Sequence, residues 1–86
     1  MPKISEFFGI AIYIYFDDHP PAHFHARYAG DEAVIRIDDL RVLRGHLPPR
    51  ALGLVVEWAT LHQSELEEVW RQAQAMETLS QIPPLE

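Results

Sequence analysis

The chain has 86 residues, with 13 acidic against seven basic side chains and a net charge of −6. That length fits one domain with a thin core, and that charge argues against non-specific nucleic-acid binding, which runs on neutralising phosphates. There is no cysteine, which excludes disulfides and thiolate metal sites, so only a metal held by other donors, or a partner subunit, could supplement the core.

The first residues, Met1-Pro2-Lys3-Ile4, lack the basic stretch and apolar run of a signal peptide. No apolar segment approaches ~18 residues, so the expectation is a cytoplasmic protein with no membrane contact. Along residues 8–16, Phe8, Ile10, Ile12, Ile14 and Phe16 alternate with smaller or more polar residues, the period of a strand. Asp17-Asp18-His19-Pro20-Pro21-Ala22 breaks it, because adjacent prolines cannot donate to a ladder. A second strand follows at residues 23–28, with Phe24, Ala26 and Tyr28 on one face and His23, His25 and Arg27 on the other. Ala29-Gly30-Asp31 reads as a hairpin turn into a third strand at residues 32–37, with Ala33, Ile35 and Ile37 inward. Residues 40–44 read as a fourth, edge or bulged strand, because Leu40, Val42 and Leu43 do not alternate cleanly.

From Arg50 to about Met76, apolar residues recur at spacings of three and four, which predicts one continuous amphipathic helix. Ser64 and Glu67 have the spacing of a capping box and mark a place where the helix could restart instead. The predicted fold is therefore α+β: a three- to four-stranded antiparallel sheet in β-β-β-β-α order, with one long C-terminal helix on one face. Residues 1–78 form the single domain, and residues 79–86 form a tail, with Pro83-Pro84, expected to be extended or frayed.

His23 and His25, two residues apart on a strand, project to the face away from the helix with origins about 6–7 Å apart. They can converge on a divalent transition metal with Asp18 or His19 as third ligand. A metal-free alternative uses the same face for ribonuclease-like chemistry: His23 and His25 as acid and base, Arg27 and Arg36 on a phosphate, Tyr15 stacking on a base. The bland reading leaves the histidines as polar residues on a solvated sheet face. His46 reads as a surface residue and His62 as a hydrogen-bonded core histidine.

With Pro2-Lys3-Ile4-Ser5, Phe8-Gly9-Ile10, Asp18-His19 through His23-Phe24-His25-Ala26, Leu47-Pro48-Pro49-Arg50-Ala51 and Glu57-Trp58, nearly the whole chain resembles a small prokaryotic family catalogued as domain of unknown function 4160. Ala22 stands where the family pattern has a proline directly before the histidine. The resemblance implies no established activity. Its members are often encoded beside another small protein, similar to a toxin–antitoxin pair, which implies a protein partner by analogy.

Three functions follow as expectations: a toxin-like or accessory component of a two-protein module with His-dependent RNA cleavage, a metal-binding domain of structural or hydrolytic kind, and a purely structural interaction module. A 27-residue helix would be about 40 Å long and overhang the shorter strands. Trp58, Leu66, Trp70 and Met76 are accordingly expected to meet a second copy or a small protein partner.

Overall fold

The computed structural model describes residues 2–86. Five strands, β1 (Lys3–Phe7), β2 (Ile10–Tyr13), β3 (His23–Tyr28), β4 (Asp31–Arg36) and β5 (Val42–Gly45), form one antiparallel sheet in sequence order. Two helices follow, α1 (Pro49–Leu61) and α2 (Gln63–Gln74). The α+β class and the strands at residues 23–28, 32–37 and 40–44 match the expectation to within a residue or two, while the strand count rises to five and the single helix becomes two.

The extra strand comes from dividing the N-terminal run. Phe7 pairs with Ile10, leaving Phe8 and Gly9 as a two-residue hairpin loop, and both have positive φ, +50° and +79°. That is the requirement of a type I′ turn, whose twist suits the flanking strands. Phe8 is therefore exposed and Phe7 is the buried residue, opposite to the simple alternation. Ile10, Ile12 and Ile14 do face the core, whereas Phe16 lies beyond the strand and is exposed.

The helix breaks at His62, whose φ and ψ of −123° and 27° are not helical. Its N–H is shared between the carbonyls of Trp58 and Ala59, closing α1, and its own carbonyl accepts from Leu66, opening α2. Gln63 anchors the joint by donating through Nε2 to the carbonyls of Ile37 and Asp38 at 2.7 and 2.9 Å. A straight 27-residue helix would outrun the molecule, whose longest dimension is 33 Å. Breaking it brings both apolar faces home: Val55, Trp58 and Ala59 from α1, and Leu66, Val69 and Ala73 from α2, all join one core with Ile4, Ile10, Ile12, Phe24 and Ile35.

The expected overhang therefore does not arise. Trp58 and Leu66 are wholly buried inside their own chain, Trp70 is half-buried, and of the four residues assigned to a partner only Met76 is well exposed. The tail is extended but not frayed. Ile82 donates its N–H to the Ile4 carbonyl at 2.9 Å, and the Pro83 carbonyl accepts from Trp58 Nε1 at 2.8 Å. Ile82 and Leu85 are buried, so the tail flanks β1 and leaves β5 as the uncovered edge of the sheet. Among the described residues, no helix is long and apolar enough to cross a membrane.

Candidate metal centre

The site lies on β3 and the loop before it. Strand alternation sends Phe24 and Ala26 into the core, with Phe24 edge-on to Trp58, and sends His23, His25 and Arg27 to the opposite face. That face is more enclosed than a solvated sheet surface. The ring of His23 lies 5.1 Å from that of Trp70, and the ring of His25 sits edge-on to Tyr15 at 4.6 Å. As a result His23 and His25 are 7% and 8% exposed, too buried to be plain surface polar groups.

The loop brings Asp18 over both imidazoles. Asp18 Oδ2 lies 2.9 Å from His23 Nε2 and 3.5 Å from His25 Nε2. Helix α2 holds this loop in place, the Asp17 N–H reaching the Ala73 carbonyl and Gln74 Nε2 reaching the Asp18 carbonyl. The other ring nitrogens are turned outward to acceptors: His23 Nδ1 donates to the Pro21 carbonyl at 2.8 Å, and His25 Nδ1 to Glu32 Oε2 at 3.0 Å.

A carbonyl and a carboxylate can only accept, so each Nδ1 carries a proton; His23 Nε2 shares a further proton with Asp18 Oδ2, and a metal ion would have to displace it. Both Nε2 atoms point toward Asp18 Oδ2. Burial pushes the Asp18 carboxyl up, but the His19 backbone N–H, the hydrogen bond and charge of His23 and the nearby His25 outweigh it and hold the group below its ordinary value. Asp18 is thus ionised near neutrality, and three atoms able to ligate a metal lie within 4.8 Å of one another. His25 Nε2 is buried with no hydrogen-bond partner.

His19 is exposed and outside the cluster; its backbone N–H caps Asp18 Oδ1 at 2.8 Å, so of the two loop candidates Asp18 is the one brought to the histidines. Arg36 pairs across the strands with His23, but its guanidinium is held by Asp38. Arg27 sits over the ring of Tyr13 at 5.9 Å, and Tyr15 contacts His25 by its edge and not as a free stacking platform. Of the ribonuclease-like set, His23, His25 and Tyr15 thus stand together, while Arg36 is turned to Asp38 and Arg27 to Tyr13. His62 is partly exposed and bonds Glu65 in the first turn of α2, so it is not a core histidine. His46 is exposed as expected. Glu32 and Arg44, which reading along the chain did not single out, flank the pair from β4 and β5; no local motif marks them, and only strand register brings them there.

Fold and site together define a small α+β domain carrying a buried two-histidine, one-carboxylate cluster. A family model described as Domain of unknown function (DUF4160) matches residues 9–71, and the chain belongs to that family. Comparison with curated proteins and with solved structures gave no match.

Proposed function

We propose that this protein is a metal-binding domain that holds one divalent transition metal ion through His23 Nε2, His25 Nε2 and Asp18 Oδ2. The observation that carries the reading is the buried, unpartnered Nε2 of His25 facing the Asp18 carboxylate. A proton shared between His23 and Asp18 satisfies that pair and leaves His25 Nε2 without a partner. An unsatisfied buried polar atom costs about 1–3 kcal/mol, whereas a cation at the centre satisfies all three acceptors at once.

The spacing supports the same reading. Ligand atoms at about 2.0–2.2 Å from a common ion stand roughly 3–3.5 Å apart in octahedral or tetrahedral geometry. The Asp18–His23 and Asp18–His25 separations of 2.9 and 3.5 Å are close to that. Imidazole donors favour zinc, iron or nickel over calcium and magnesium, and Pro21 and Glu32 supply the outer hydrogen bonds that orient metal-bound histidines. Three protein ligands leave coordination positions open, the pattern of hydrolytic centres, in which bound water is acidified. A toxin-like role in a two-protein module is a separate proposal that rests on the family resemblance alone.

Titration calorimetry with zinc, nickel and manganese ions on the metal-free chain tests the reading. One site per chain is expected, abolished by His25→Ala and by Asp18→Ala, and weakened about 10–100-fold by Glu32→Gln, which removes only an outer partner. Affinity should fall as pH drops from 8 to 5, where protons compete for imidazole nitrogen. Absence of heat with all three ions at neutral pH would remove the proposal.

A further inference from the structure

The register places a fourth group beside the cluster. Tyr13 pairs with His25, His25 with Val34, and Val34 with Arg44, so these residues form one row across four strands and share a face. Neighbouring strands are about 4.8 Å apart, which puts the Arg44 backbone roughly 10 Å from that of His25. Between them lies only Val34, a short, buried side chain that floors a trough. On the His23 side, Asp18, Pro21 and Leu43 line this trough, with Arg44 as its far wall. On the His25 side it continues past Glu32, again against Arg44.

Among the described residues, Arg44, like Arg27 and Arg50, has no ion-pair partner, whereas Arg36 is bound to Asp38, Arg41 lies near Asp39, and Arg71 is clamped by Glu68 and Glu77; of the three unpaired arginines Arg44 is the one that lines the trough. Building on the metal reading, a bound dication is offset by the Asp18 and Glu32 carboxylates, so Arg44 leaves the trough locally positive on an otherwise acidic surface.

We infer that this trough binds a phosphoryl group, with the Arg44 guanidinium taking two of its oxygens while a third faces the open side of the metal. A carboxylate cannot do this, because gripping guanidinium with both oxygens leaves none for the metal; a phosphate monoester has three free oxygens. The trough on the His23 side measures about 250 Å³, below the ~300–1,000 Å³ of pockets that enclose a whole drug-sized ligand. It admits a head group and leaves the rest of the molecule in solvent. A polyanion such as RNA would have to lie along an acidic chain with few free cations, so the ligand is a single phosphoryl terminus on a small molecule.

Calorimetric titration of inorganic phosphate, acetate and a short single-stranded RNA into the zinc-loaded protein tests this, with Arg44→Gln and Arg44→Lys beside the wild type. Phosphate should bind once per chain and more tightly than acetate. Arg44→Gln should weaken phosphate about tenfold or more, as loss of charged hydrogen bonds does, and leave zinc affinity within about twofold. Arg44→Lys, which keeps the charge but not the fork, should fall between. Phosphate affinity equal in wild type and Arg44→Gln, acetate as tight as phosphate, or RNA far tighter than phosphate would each overturn the inference while metal binding stood. Failure of zinc to bind the wild type would instead remove the metal reading and this one with it.

Discussion

His23 and His25 each give their Nδ1 proton to an acceptor that has none to return, and this local chemistry sets what their Nε2 atoms can do. Asp18 completes the set because its carboxyl is held low by the His19 N–H and by His23 despite burial. The sign of its linkage to stability follows. A carboxyl whose folded value lies below its unfolded value of about 3.9 stabilises the fold fully above that value, and the contribution is lost as pH falls through the lower, folded value. Without metal, the stability gap between wild type and Asp18→Asn should therefore be flat above about pH 5 and shrink steadily below pH 4, as read by urea denaturation at each pH. Parallel stability curves down to pH 2.5 would show that Asp18 is not linked to folding in this way. The His-Phe-His alternation was enough to place the two imidazoles together, and the loop was visible as the source of a third ligand. Choosing Asp18 over its neighbour His19 was not possible from sequence, because that choice depends on how α2 pins the loop through Asp17 and Gln74.

Strand pairing supplies what the linear sequence conceals. Glu32 reaches His25 because β3 and β4 pair Arg27 with Glu32, and Arg44 joins the same face because β5 is aligned by a register shift next to Val34. Gly45 secures that alignment: its φ is +83°, and a Cβ there would lie 2.2 Å from the Glu32 carbonyl oxygen. No side-chain rearrangement relieves a clash with backbone, and left-handed φ is costly for other residues. Gly45→Ala should cost at least about 1–3 kcal/mol, lowering Tm by roughly 4–8 °C per kcal/mol in a domain of this size. It should also weaken metal binding by displacing Glu32, whereas Gly53→Ala, where a Cβ meets nothing within 4 Å, should do neither. Thermal melts of the two variants check this, and a Gly45→Ala protein that melts like the wild type would mean that β5 tolerates a different path. The break at His62 was hard to read for a related reason. Both α1 and α2 turn their apolar residues to one core, so the stripe keeps its phase across the joint, and only the Ser64–Glu67 spacing hinted at a restart nearby. The hairpin at Phe8-Gly9 was concealed by a phenylalanine in left-handed conformation, which propensity alone disfavours.

At the scale of the whole molecule, the broken helix and the packed tail account for how so short a chain closes its core. Trp58, Phe24, Leu66 and Val69 meet in one cluster, and Ile82 and Leu85 return from the C terminus to seal it beside β1. The same closure moves the working surface: with Trp58 and Leu66 committed to the core, the groove between the Asp18 loop and β5 is where chemistry-bearing groups converge on one point. The helices contribute to it indirectly, Trp70 by shielding His23 and the end of α2 by holding the loop. The central claim, that the two Nε2 lone pairs and the Asp18 carboxylate jointly hold one metal ion, is tested most directly by long-range nitrogen–proton NMR of the imidazole rings during a zinc titration. Before zinc, His25 should show the Nδ1-protonated tautomer. With zinc, the Nε2 resonances of His23 and His25 should shift together and saturate at one equivalent, while those of His19 and His46 stay in place. Nε2 resonances of His23 and His25 that do not move at one equivalent of zinc, or an Nε2-protonated His25 in the free protein, would contradict it.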